Sequence, residues 1–251
     1  MVSWLENTAL ICWILKDASW VMLFPYTAFP AVVGALILES FYVAVSWQRL
    51  NWYHCASCLV PVLWITGNGC WMFRELLYET PSRYLQLPWF QKPLVGGEDP
   101  GMQTCAGVFF ICTMVVYVFA QCGRFSLEPT AVRRLDADAW TGFWTLKDFL
   151  WLLGYFWPAL ACSVVVSVLM LREEQLKPHA ARGSSFFVAE LLWLLANTVW
   201  VSGELQLGDF VIYRATSCCI LTTALAFAVR GFKEDTEETE EGPILPMQKT
   251  M

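Results

Sequence analysis

The chain has 251 residues, 57% of them hydrophobic and only 15% charged, with a mean hydropathy of +0.49. Soluble domains hold about 45–50% apolar and about 25% charged residues, and a chain of this size cannot enclose such an excess in a water-facing core. The composition excludes a nucleic-acid-binding domain, a secreted disulfide scaffold and a disordered chain, and leaves lipid as the solvent. Sixteen bases stand against 22 acids, a net charge of −6. Six of those acids (Glu234, Asp235, Glu237, Glu238, Glu240 and Glu241) share one tail segment, so the rest of the chain is neutral.

A helix crossing the hydrocarbon core needs about 20 apolar residues, within a range of about 17–25. In chain order the predicted spans are Thr8–Phe24, Ala31–Trp47, Ser57–Leu77, Thr104–Gln121, Ala139–Phe156, Pro158–Leu171, Phe186–Leu205 and Phe210–Val229. Pro25 and Pro30 break the first two apart, because proline interrupts the helical hydrogen-bond ladder. Gly154 and Pro158 do the same between the fifth and the sixth, which is the shortest. The loop from Tyr78 to Gln103 carries four prolines with Trp89 and Phe90 and is expected along the outer interface. The first span lacks a basic leader and carries Lys16 and Asp17, so it does not read as a cleaved signal.

Basic residues set orientation. Eight spans put ten bases, from Arg49 through Arg133, Arg134 and Arg182 to Lys249, on one side. Only Arg74, Arg83, Lys92 and Arg214 fall on the other, so both termini are expected in the cytoplasm. Arg214, early in the last span, is expected to extend toward the outer interface.

The chain repeats itself. Trp13-Ile14-Leu15-Lys16-Asp17-Ala18-Ser19-Trp20 matches Trp144-Thr145-Leu146-Lys147-Asp148-Phe149-Leu150-Trp151 at five of eight positions, 131 residues apart. Leu63-Trp64, Asn68, Trp71 and Glu75-Leu76 match Leu192-Trp193, Asn197, Trp200 and Glu204-Leu205 at an offset of 129. Chance apolar similarity aligns leucine with valine; it does not align tryptophans and charges. Each copy carries four spans, so the second enters the membrane in the same orientation as the first. The expected fold is an all-α polytopic bundle of two parallel four-helix repeats, residues 1–125 and 126–232, followed by an acidic disordered tail over 233–251.

Residues three and four apart share a helix face. Trp64, Asn68, Trp71 and Glu75 form one stripe, copied by Trp193, Asn197, Trp200 and Glu204. Trp13, Asp17 and Trp20 form another with Lys16 at its edge, copied by Trp144, Asp148 and Trp151 with Lys147. An ionisable group at the bilayer centre costs about 2.5–3.5 kcal/mol on insertion scales, so such groups face the bundle interior, pair, and mark pathways or binding sites. Asp17 and Asn68 lie at similar depths and are expected to meet. Lys16 and Lys147 are expected to serve as counter-ions with partners on other spans, since sequence neighbours on a helix point about 100° apart. Glu39 has no repeat counterpart and is a candidate proton-linked or substrate-contacting carboxylate. The tryptophans line the interior, as packing or as a stacking wall for a flat or cationic ligand.

The only histidines, His54 and His179, are expected in cytoplasmic loops, which leaves a bis-histidine haem or a three-histidine zinc site without ligands. The chain has no G-x-S-x-G, H-E-x-x-H, P-loop or G-x-G-x-x-G pattern. Most of its ten cysteines fall in apolar spans as small hydrophobes, and the Cys55–Cys58 pair has no copy in the second repeat. No cofactor, metal or nucleic acid is implied; the partner is the lipid bilayer, with a small molecule or ion as substrate, and oligomeric state is left open. Three functional readings follow. The first is a small-solute or proton-coupled transporter, not an enzyme, with Lys16, Asp17, Glu39, Asn68, Glu75, Lys147, Asp148, Asn197 and Glu204 at its site. The second is a scaffold in which those residues fasten helices, and the third a lipid-modifying enzyme with Glu75 and Glu204 as acid and base.

Overall fold

The computed structural model describes residues 2–47, 52–78, 100–127, 139–176, 184–207 and 210–240. Among these there are eight α-helices and no strand: α1 (Val2–Val21), α2 (Pro25–Trp47), α3 (Trp52–Leu77), α4 (Pro100–Leu127), α5 (Ala139–Leu152), α6 (Phe156–Leu176), α7 (Ser185–Ser202) and α8 (Phe210–Glu240). Each helix packs on its neighbours in sequence, and α8 closes back onto α1.

Local sequence explains most of the boundaries. Both α1 and α5 end in the same reversal. Leu23 N–H donates to Trp20 O and Phe24 N–H to Ser19 O; Gly154 N–H donates to Trp151 O and Tyr155 N–H to Leu150 O. Each reversal needs one left-handed residue, Leu23 at φ 54° and Gly154 at φ 79°. This is the double hydrogen-bond pattern that satisfies orphan carbonyls at a helix end. Pro25 then begins α2, where a missing N–H costs nothing. Ser184 caps α7 by accepting from Phe187 N–H. A five-residue π-helical turn, Gly203–Leu207, extends α7.

Six helices (α2, α3, α4, α6, α7 and α8) are long and apolar enough to cross a membrane, as a multi-pass membrane protein requires. The other two, α1 and α5, carry the Lys-Asp pairs. Several expected limits shift. Pro30 lies inside α2 rather than before it. The short helix is α5, with 14 residues, and not α6, which has 21. The first helix starts earlier than expected, at Val2, and His54 falls within α3 instead of a loop. Helix α8 runs into the acidic segment as far as Glu240. The loop bearing Trp89 and Phe90 lies outside the described residues.

The odd-numbered helices supply the tryptophan stripes and form the inside of the bundle. The even-numbered ones show lipid-compatible faces, with Ile37 and Phe41 on α2, Val115 and Phe119 on α4, Val164 and Val168 on α6, and Ile212 on α8 all exposed. The residues repeated along the odd helices are therefore brought together in one central column.

A layered polar core and a cavity at its end

Four layers can be followed along that column. The first is aromatic. Trp13, Trp64, Trp144 and Trp193 pack against one another, with the Trp144 and Trp193 rings 4.4 Å apart and Trp13 lying 5.4 Å from Trp64 and 5.5 Å from Trp193.

The second layer is charged. Lys16 Nζ lies 2.6 Å from Asp17 Oδ1, and Lys147 Nζ lies 2.5 Å from Asp148 Oδ1; both ammonium groups are fully buried. Adjacent residues thus pair with each other, contrary to the expectation that each lysine finds its anion on another helix. The long flexible lysine stem closes the 100° divergence that the backbone imposes. The second oxygen of each aspartate does look across the bundle. Asp17 Oδ2 accepts from Trp193 Nε1 at 2.6 Å and from Asn197 Nδ2 at 3.4 Å. Asp148 Oδ2 accepts from Trp64 Nε1 at 2.8 Å and from Asn68 Nδ2 at 3.4 Å. Asp17 therefore does not meet Asn68; it meets Asn197, and Asn68 meets Asp148. Each carboxylate binds the stripe of the other half of the chain.

The third layer is a second aromatic ring. Trp20, Trp71, Trp151 and Trp200 form a closed cycle in which the four neighbouring centroids are 5.1, 5.0, 4.9 and 5.0 Å apart at interplanar angles of 82–86°. This is the edge-to-face geometry that the ring quadrupole favours, worth about 0.5–1.5 kcal/mol per pair beyond area burial. The ammonium groups sit between the two aromatic layers: Lys16 Nζ is 5.3 Å from the Trp20 ring and 5.6 Å from Trp64, and Lys147 Nζ is 5.1 Å from Trp144 and 5.5 Å from Trp151. Desolvated cation–π contacts of this kind are worth about 2 kcal/mol.

The fourth layer gathers Glu75, Glu204 and Arg214. Arg214 is fully buried, so it points inward and does not extend to the interface. Its Nη2 donates to Glu204 Oε1 at 2.6 Å and lies 3.7 Å from Glu75 Oε2; its Nη1 donates to the carbonyls of Trp20 and Val21 at 3.3 and 2.9 Å. The guanidinium carbon stands 5.0 Å from the Trp200 ring. Trp20 Nε1 donates to Glu75 Oε2, and Trp151 and Trp200 donate to Glu204. The expectation for Arg214 rested on its place near a helix start. A fixed fork of five donors is better used between two carboxylates already present at that depth.

Beyond the first layer, at the bundle end that holds the N-terminus of α1, lies a cavity of about 410 Å³. Its inner wall is the first tryptophan layer. Glu39 of α2, buried, lines it together with His54, Gln121 and Glu190, whereas the Lys-Asp pairs do not. Sequence reasoning passed over Glu190 and Gln121 and placed His54 in a loop. Glu190 had the signal that singled out Glu39, a carboxylate inside an apolar span without a repeat counterpart. The described residues contain no group of three or more His, Cys, Asp or Glu able to hold a metal ion, and no disulfide joins the described cysteines. Comparison with protein families, with curated proteins and with solved structures gives no match.

Proposed function

We propose that this is a small-solute transporter built as two parallel four-helix repeats, residues 1–125 and 126–232. All eight helices are taken as spans, with both termini in the cytoplasm and the acidic tail beyond them. The observation that carries the reading is the cavity that ends on the first tryptophan layer, directly over two buried Lys–Asp pairs. A vestibule, an aromatic barrier and a desolvated charged layer in that order are what a gated solute path needs. Membrane-embedded ionisable groups mark such pathways more often than they serve packing alone. The exchange of partners between halves, Asp17 with Asn197 and Asp148 with Asn68, supports the charged layer as the hinge of the two repeats. Moving one half against the other must break both contacts together. Glu39, at the vestibule, is the group we assign to solute or proton contact.

The test is flux. The full chain is reconstituted in liposomes and uptake is measured across a panel of radiolabelled amines, amino acids, sugars and carboxylates. Wild type is compared with Asp17→Asn plus Asp148→Asn, and with the quadruple variant that also carries Lys16→Met and Lys147→Met, which leaves no unpaired charge to unfold it. At least tenfold loss of uptake in a folded quadruple variant is expected. Undiminished uptake overturns the reading.

A specific observation favours the scaffold alternative: each repeated carboxylate already has partners inside the bundle. On that reading Asn68→Leu lowers detergent stability and changes nothing else. The enzyme reading is the weakest, because Glu75 and Glu204 both sit buried against Arg214 and the tryptophan indoles.

A further inference from the structure

The chemistry of the cavity lining narrows the solute. Glu39 and Glu190 reach it from α2 and α7, and His54 from α3; among the described residues that line it there is no lysine or arginine. Glu39 lies eight residues before the end of α2, so its carboxylate is set roughly 12 Å along the helix from that end at 1.5 Å per residue. At such depth electrostatic attraction is weakly screened, so carboxylates in the lining favour a cationic solute over an anionic one. Much of the remaining wall is aromatic, with Trp13, Tyr42, Tyr117, Trp140, Trp144 and Phe186 among its members, beside aliphatic and hydroxyl or amide side chains. Aromatic faces attract cations through the ring quadrupole.

An inorganic cation fits poorly. Calcium takes 6–8 oxygen ligands and magnesium demands a near-octahedral set, and no group of three or more His, Cys, Asp or Glu that could hold a metal ion occurs among the described residues. A cavity of about 410 Å³ falls within the roughly 300–1,000 Å³ that holds a small organic molecule. One further acceptor is at hand: Gln121, more than nine-tenths buried, lines the cavity, and its Oε1 has no hydrogen-bond partner in the structure.

From the two carboxylates, the aromatic wall and the spare acceptor, we infer that the cavity binds an organic ammonium ion with an apolar or aromatic body, its N–H groups directed to Glu39, Glu190 and Gln121. This deepens the transporter reading and rests on it for the direction of travel, while binding itself stands on the lining alone.

The experiment uses the full chain in lipid nanodiscs and three probes of matched shape: phenethylammonium, neutral 2-phenylethanol and anionic 3-phenylpropionate. Calorimetric titration reads affinity, and liposome uptake of the same labelled probes reads transport. The ammonium is expected to bind at least tenfold more tightly than the alcohol, and the carboxylate not at all. Glu39→Gln and Glu190→Gln are each expected to weaken the ammonium about tenfold and to leave the alcohol unchanged. Glu173→Gln, outside the cavity, is the control. Should a carboxyl variant not fold, Gln121→Leu and Trp140→Leu carry the same comparison.

Equal binding of ammonium and alcohol, or folded variants that bind the ammonium as wild type does, overturns the assignment. Ammonium binding without uptake sustains the site and removes the transporter reading. Uptake of the neutral or anionic probe with no ammonium binding removes the cation assignment and leaves transport standing. If no probe binds, the site is refuted.

Discussion

Arg214→Met retains most of the apolar stem and removes the guanidinium from the fourth layer. Two carboxylates then share a buried space without a cation: Glu204, which loses a 2.6 Å hydrogen bond, and Glu75, which loses a charge 3.7 Å away. The carbonyls of Trp20 and Val21 lose their donor as well. Removing one partner of a buried ion pair costs about 3–5 kcal/mol, because the charge left behind is uncompensated. For a chain of 150–250 residues a change of 1 kcal/mol shifts Tm by about 2–4 °C, which puts the loss at roughly 6–20 °C. An arginine extended to the interface would instead give a change within about 0.5 kcal/mol. Thermal unfolding in bicelles, paired with SDS titration, separates the two. Adding Glu75→Gln and Glu204→Gln to Arg214→Met is expected to recover most of the stability, since neutral amides still accept from the indoles. An Arg214→Met protein within 1 kcal/mol of wild type, or a triple variant no better than the single, would refute the reasoning.

The charged layer makes a parallel prediction. Asp148→Asn strands the buried Lys147 ammonium and is expected to cost about 3–5 kcal/mol, whereas Lys147→Met with Asp148→Asn regains most of it; Asp17→Asn should match Asp148→Asn within about 1 kcal/mol by the same unfolding measurement, because the two pairs have nearly equal geometry. The reversal after α5 offers a purely backbone test. A Cβ at Gly154 would meet nothing within 4 Å, yet φ is +79°, so Gly154→Ala should cost about 1–2 kcal/mol through conformation alone. An unchanged Tm there means that the turn relaxes out of the left-handed region.

How much of this was legible in the chain differs by residue. The stripe Trp64-Asn68-Trp71-Glu75 follows from helical spacing alone, and the structure buries all four. The Gly154 break was legible too, because glycine is the residue that adopts positive φ freely. Its counterpart Leu23 was not, since nothing in a leucine announces φ 54°. Arg214 was misread, because its position near a helix start gives no sign of which face meets α1. Glu190 was overlooked, although its lack of a counterpart is the property that made Glu39 conspicuous.

By itself the sequence determined the solvent, the helical class and the identity of the polar residues held within apolar helices. These follow from composition and from a 3.6-residue period, which are local quantities. Only the tertiary structure decided the partners. Asp17 meets Trp193 and Asn197 across 176 and 180 residues, and Arg214 meets Trp20 across 194. Such contacts depend on how each helix is rotated against its neighbours, and that rotation is a property of packing which no stretch of chain carries alone. The cavity belongs to the same class, being a space that six helices leave between them.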